Sequence, residues 1–341
     1  MDAPIIQARG LSKRFKARKG SAEVVAVADL TTDIAPGSLT AFLGPNGAGK
    51  STSLRMLTTL LEPSGGTATV CGYDVATQAP LVRASIGYVG QKNGAGHYQR
   101  IRDELVSQGA LYGLGPAERR RRATELIEML DLGEVADRNA ITLSGGQRRR
   151  ADVALGLIPG PSLLFLDEPS TGLDPQSRAH LWEHILTLRA RYGMTIFLTT
   201  HYLEEADQLA ERVMIVDQGR IIADGTASRL KADLAGDRVT VLVAADPDGA
   251  ARVLRAASAR SGVTEPDLTV GQTPEGTRFV ATVQHGDRVL PGLLRDLAPH
   301  DVRAAELARP SLDDVFLTLT GRSLREENQT QTTPEPQGAP R

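Results

Sequence analysis

Gly44-Pro45-Asn46-Gly47-Ala48-Gly49-Lys50-Ser51, followed by Thr52, decides how this chain is read. It fits G-x-x-x-x-G-K-[ST] at every fixed position. The apolar run 39–43 before it reads as a strand, and residues 50 to about 61 after it read as a helix. Glycines let the backbone curl so that successive N–H groups face one anion, and the helix adds the partial positive charge of its N-terminus. Strand, Gly-rich loop and helix in that order form a phosphate-binding α/β unit. Lys50 can reach the outer phosphates of ATP, and the Ser51 hydroxyl can coordinate Mg²⁺. Gly44, Asn46, Gly47, Ala48, Gly49 and Thr52 complete the nucleotide-binding loop.

Outward from that loop the pattern alternates. Residues 5–9, 24–27 and 30–34 read as short strands, with a polar, basic loop from Lys13 to Ser21. Residues 103–113 and 116–131 carry helical apolar spacing, so the middle of the chain reads as a helical insertion. Leu163-Leu164-Phe165-Leu166-Asp167-Glu168 is a continuous apolar run ending in acid, as a buried parallel strand is. It delivers Asp167 to hold Mg²⁺ through water and Glu168 to act as general base on the water that attacks the γ-phosphate. Helix 175–191, strand 195–200, helix 203–210 and strand 212–217 follow.

Between the phosphate loop and the acidic strand lies Leu143-Ser144-Gly145-Gly146-Gln147. This stretch resembles the signature sequence of ABC-type ATPases, and the resemblance covers roughly residues 5–225. It implies a P-loop ATPase core with a helical signature subdomain over about 92–160. Other motifs match in order. Gln91 matches the glutamine that opens the helical subdomain and touches Mg²⁺ or the attacking water. Ser170-Thr171-Gly172-Leu173-Asp174 matches the loop after the acidic strand. His201 matches the switch histidine, which contacts the γ-phosphate and orients water with Glu168. Phe15 stands where the family places an aromatic on adenine. Ser144, Gly145, Gly146 and Gln147 belong, by the same resemblance, to the nucleotide site of a second subunit, and Asp174 is counted among the nucleotide-binding residues. One phosphate loop and one signature per chain then imply a homodimer of nucleotide-binding domains around ATP. The resemblance also implies a separate membrane-spanning permease as partner. Phe15 departs from the usual tyrosine, the segment after Lys16 is longer than usual, and Asn93 to Gln99 is not the commonest sequence after Gln91.

Composition narrows the rest. The 341 residues are 41% apolar and 23% charged, with a net charge of −2, so no basic field marks nucleic acid as a partner. The Arg clusters 119–122 and 148–150 read as solvated helix faces. Cys71 is the single cysteine, so no intrachain disulfide forms, and it reads as a core residue. No run of about 18 apolar residues marks a membrane span, and 1–10 lacks a signal peptide's apolar stretch, so the expected place is the cytoplasmic face of the membrane, through the partner. His180-Leu181-Trp182-Glu183-His184 fits H-x-x-E-H, a zinc-protease pattern, but no third ligand is identifiable and the fold already requires a helix there. A soluble ABC ATPase of translation control or DNA repair is the alternative, but neither a second cassette nor a long coiled coil is present.

After about residue 228 the strand-like runs 239–244, 268–270, 279–283 and 302–307 alternate with helical segments 248–260 and 286–297. The order βαββαβ predicts a small α+β, ferredoxin-like domain over 228–322, following an ATPase domain over 5–227. Pro310 to Gly321 (PSLDDVFLTLTG) resembles the end of ATP-binding subunits of the daunorubicin/doxorubicin-resistance type, which implies drug export; as a physical element it reads as a packing helix. The tail 326–341 is polar and Pro-containing and reads as disordered.

Overall fold

The first two strands run further than their alternation suggests. β1 (Ile6–Phe15) pairs antiparallel with β2 (Val24–Ile34), from Ile6 against Ile34 to Phe15 against Val24. The loop expected from Lys13 is therefore still strand as far as Phe15. Register shifts follow Ala8 and Leu11, and Gly10 takes a left-handed φ of 58°. Such bulges break the period of two by which a strand is read. The structure, a computed structural model, describes residues 3–16, 23–92, 94–96, 98–234, 236–263 and 268–321. Most of the long segment after Lys16, Asn93, His97 and the tail 326–341 lie outside the described residues.

β3 (Leu39–Leu43) leads through the Gly-rich loop into α1 (Lys50–Leu57). This helix stops about a turn earlier than expected, because Thr59 adopts a left-handed φ of 63°. Next come β4 (Gly65–Val70), β5 (Tyr73–Asp74), α2 (Ala79–Ser85) and β6 (Ile86–Val89). The helical insertion carries α3 (Ile101–Leu111), α4 (Pro116–Met129) and α5 (Gly145–Leu157). The chain returns as β7 (Leu163–Asp167), α6 (Pro175–Tyr192), β8 (Thr195–Thr200), α7 (Leu203–Leu209), β9 (Arg212–Asp217) and β10 (Arg220–Gly225). Among the described residues these strands form one sheet in the order β5-β4-β1-β2-β10-β9-β3-β8-β7-β6.

The centre of that sheet fixes where chemistry can happen. β9, β3, β8, β7 and β6 are parallel neighbours, and every residue of β3, β7 and β8 is buried. Burial on both faces explains their unbroken apolar sequence. Phe197 is the shared contact, with ring centroids 5.6 Å from Phe42 and 5.7 Å from Phe165. Parallel strands end on one edge, where ligands of open α/β sheets bind. There Leu43 lies opposite Thr200, Asp167 opposite Thr199, and Val89 opposite Leu166. The segments that follow them, 44–49, 168–174, 201–202 and 90–92, are brought together by topology alone.

The chain divides into two compact units between Asp224 and Gly225. The second begins with α8 (Ala227–Leu234) and continues as β11 (Asp237–Val243), α9 (Pro247–Arg260), β12 (Leu268–Thr273), β13 (Gly276–Val283), α10 (Gly286–Leu297), β14 (Val302–Ala308) and α11 (Leu312–Thr320). Its sheet is antiparallel in the order β12-β13-β11-β14. Val239, Val241, Val243, Phe279, Ala281 and Val283 project to one face and pack with Leu254 of α9 and Leu293 and Leu297 of α10. α11 starts with a Ser311–Asp314 capping box, buries Leu312, Val315 and Phe316, and lies against α8.

Because Phe197 joins three central strands, Phe197→Ala is expected to cost the first unit about 3–5 kcal/mol. A urea titration that showed a cost near zero would contradict this account of the core.

Candidate functional site

The Gly-rich loop is shaped by close backbone approach. Gly49 has φ 101°, and a side chain there would run into the carbonyl oxygen of Ala26; one at Gly44 would meet that of Val216. The Lys50 ammonium, almost fully buried, folds over this loop and donates to the carbonyl oxygens of Gly44 (2.7 Å) and Pro45 (3.0 Å). It also lies 3.4 Å from Glu168 Oε1. Burial pulls the Lys50 pKa down, opposed by the charges of Glu168 and Asp167.

Two acids end β7 and have different surroundings. Asp167 Oδ1 accepts from Ser51 Oγ (2.9 Å) and Thr199 Oγ1 (2.7 Å). Glu168 has a left-handed φ of 46°, held by its N–H donating to both the carbonyl and the hydroxyl oxygen of Thr199. Its Oε2 accepts from Gln91 Nε2 (3.1 Å), Thr171 Oγ1 (3.2 Å) and His201 Nδ1 (3.1 Å). Burial pushes the Glu168 pKa up, but the hydrogen bond from His201 and the charge of Lys50 outweigh it and hold the group at about 2. An ionised carboxylate only accepts, so the His201 proton facing it sits on Nδ1.

Phe15, Val24, Ala26, Asn46, Gly47, Gly49, Lys50, Ser51, Thr52, Gln91 and Glu168 enclose one cleft of about 400 Å³. The phosphate-loop residues, Gln91, Glu168 and the aromatic Phe15 thus meet, with His201 behind Glu168. The signature does not line this cleft. Ser144 caps α5 through a reciprocal pair with Gln147, Ser144 N to Gln147 Oε1 (3.0 Å) and Gln147 N to Ser144 Oγ (3.2 Å). A Cβ on Gly145 would make ordinary contact with Leu173 at 3.8 Å, whereas one on Gly146 would lie 2.8 Å from Ser177 Oγ. Asp174 caps α6 by accepting from Ser177. Signature and 170–174 loop form a second cluster beside the first.

Some functional neighbours were not legible as such. Thr199 and Thr171 hold the two acids, yet they read as strand and loop residues. The Arg148–Arg150 cluster is not a solvated face. Arg148 donates to the carbonyl of Ala140, and Arg149 and Arg150 are buried and bond to backbone carbonyls. Arg122 likewise donates to Leu157 and Ile158 at the end of α5. Folding turns α5 inward, against β6 and the residues that end β7, a contact that charge counting cannot reveal. His180 and His184 lie on α6, whose buried side is Leu181, Trp182, Ile185 and Leu188. Among the described residues no three His, Cys, Asp or Glu side chains form a metal cluster.

The ABC transporter family model matches residues 27–171. The daunorubicin resistance ATP-binding protein DrrA2 of Streptomyces coeruleorubidus is 43% identical, over 96% of this chain and 98% of that one. This chain belongs to the ABC transporter family. It is an ATP-binding subunit and an ATPase. The linearmycin resistance ATP-binding protein LnrL of Bacillus subtilis is 33% identical, over 91% of this chain and 98% of its own length. Among solved structures, cbiO1 of Clostridium perfringens, part of an ABC transporter complex, is 25% identical, with a TM-score of 0.61 over 68% of this chain and 92% of that one. Among the described residues no helix is long and apolar enough to cross a membrane.

The depressed pKa of Glu168 sets a sign for stability. Its contribution is fully present above the ordinary 4.5 and is lost as pH falls towards about 2. Between those limits the wild type should lose more stability than Glu168→Gln. Urea midpoints measured at several acid pH values check this, and parallel losses would contradict it.

Proposed function

We propose that this subunit binds Mg-ATP, closes on a second copy of itself and uses hydrolysis to drive export of a drug or other hydrophobic compound through a separate permease. The observation that carries this reading is the separation of two half-sites. The phosphate loop, Gln91 and Glu168 meet at one cleft, with His201 bonded to Glu168 behind it, whereas Ser144 and Gly145 begin a helix that does not line it. A helix start offers N–H groups to an anion. Held away from the chain's own phosphate loop, it suits a nucleotide bound by another copy. Two chains packed head to tail would complete two sites, with Asp174 near the shared surface.

In the cleft Phe15, beside Val24 and Ala26, takes the adenine, and Lys50 and the loop N–H groups take the phosphates. The Ser51 hydroxyl and the Asp167 carboxylate, 2.9 Å apart, with the Gln91 amide oxygen, are hard oxygen donors suited to Mg²⁺, which when bound offsets phosphate charge. Glu168, Gln91 and His201 place the attacking water. The water oxygen bonds to the γ-phosphorus, the bond to the bridging oxygen breaks, and ADP and inorganic phosphate leave. Glu168 is ionised at neutral pH and a weak proton acceptor, so it orients the water and takes its proton late.

The first unit, which ends at Asp224 and carries the 92–160 subdomain, supplies a permease-facing groove. A cleft of about 290 Å³ is lined by Leu60, Arg83, Tyr88, Lys92, Glu104 and Tyr112. Lys92 follows Gln91, so a permease segment seated there at the cytoplasmic face of the membrane bears on the catalytic glutamine. Relatives named for resistance to two different antibiotics, daunorubicin and linearmycin, support a drug-like cargo.

Glu168→Gln should lower ATP turnover by about 10²–10⁴-fold while ATP still binds. Turnover near wild type would remove Glu168 from the reaction. Lys50→Ala should instead weaken ATP binding by about 1.5–3 kcal/mol, and unchanged affinity for labelled ATP would contradict its role. In sedimentation, Glu168→Gln should dimerise with Mg-ATP and separate with ADP, because only a ligand that prefers the closed pair can shift it. Gly145→Asp, at the open start of α5, should prevent this; Gly146→Asp is a poorer probe, since it also collides with Ser177. Dimerisation of Glu168→Gln/Gly145→Asp with Mg-ATP would sink the head-to-tail arrangement.

A further inference from the structure

Arg149 lies in the second turn of α5 and is 6% exposed. Its guanidinium donates from Nη1 to the carbonyl of Gly90 (2.7 Å), from Nη2 to that of Asp167 (3.2 Å) and from Nε to that of Pro169 (2.6 Å). Gly90 immediately precedes Gln91, and Asp167 and Pro169 flank Glu168. One rigid, always-charged fork therefore fixes the backbone at the residues next to both groups that hold the attacking water. Three residues on, Asp152 Oδ1 accepts from the N–H groups of Gly94 and Ala95, each at 2.9 Å. α5 thus grips the loop that carries Gln91 at two places. The helix begins with the signature.

We propose that Arg149 is a positioning residue for hydrolysis, transmitting the placement of the signature helix to Gln91 and Glu168. It touches neither nucleotide nor water in this account and acts only through the backbone of 90, 167 and 169. The inference deepens the reading above and rests on its assignment of Glu168. Asp152 Oδ2 on the same helix also lies 3.9 Å from Nη1, but all three hydrogen bonds of this buried cation end on carbonyls of the two segments that carry the chemistry, which makes it more than a helix-packing residue. Displacing reacting groups by about 1 Å can cost about 10²-fold in rate. Lysine keeps the charge but is a compact point donor that cannot span three carbonyls.

The test compares the full-length wild type, Arg149→Gln, Arg149→Lys and Glu168→Gln. Steady-state ATPase rates and equilibrium binding of labelled ATP are measured at a temperature where circular dichroism shows each protein folded. Arg149→Gln should lose about ten-fold or more in kcat while its ATP affinity stays within about three-fold of wild type, and Arg149→Lys should recover part of the rate. Wild-type kcat in folded Arg149→Gln would overturn the proposal. So would parallel loss of kcat and ATP affinity, or failure of both Arg149 variants to fold, since each marks a purely structural role. A Glu168→Gln protein that still turns over ATP would overturn the assignment of Glu168 and the proposal with it, a result distinct from any seen at Arg149.

Discussion

Lys50 and Glu168 are opposite charges held 3.4 Å apart, both almost wholly out of water. Dehydrating such a pair costs several kcal/mol per ion, and mutual attraction offsets this only where the remaining polar atoms are also bonded. Here they are. The lysine reaches two loop carbonyls, and the second oxygen of Glu168 accepts from three separate segments. The phosphate loop, the end of β7, the Gln91 loop, the loop after Glu168 and the residue after β8 therefore have to assemble together. The unusual φ of Glu168 is tolerable because the surroundings over-determine it.

The same network shapes the chemistry. A carboxylate held at about 2 is ionised at any physiological pH and needs no switch to become charged. Its limitation is basicity. The balance lies with two neighbours, Lys50 and His201, and both are the groups proposed to face the γ-phosphate. Whatever moves them changes how strongly Glu168 accepts a proton, so nucleotide contact and general-base strength are linked through one pair of charges.

The chain is legible where one physical cause acts locally. The central strands read as unbroken apolar runs because both faces are buried, and the Gly-rich loop reads as a phosphate cradle because its geometry admits little but glycine. The acid at the end of 163–168, the glutamine after 86–89 and His201 fall at equivalent strand ends, so their convergence follows from parallel order. Legibility fails where tertiary contact decides. Bulged β1 hides its period, and Lys13 to Phe15 looks like loop. The arginines of α5 look solvated, because nothing in three adjacent charges says that a strand end and two loops will supply carbonyls. In the second unit the strand spans are nearly right because alternation there is one-sided and clean, Val239, Val241 and Val243 against Phe279, Ala281 and Val283.

The central claim is that each working site is shared between two chains. Mixing two inactive variants tests it most directly. Lys50→Ala lacks a competent phosphate loop but keeps its signature, and Gly145→Asp lacks a competent signature but keeps its loop. In a mixed dimer one site would combine the intact half of each. ATPase activity, absent from either protein alone, should reappear when the two are mixed. A mixture as inactive as its components, with both proteins folded, would contradict it.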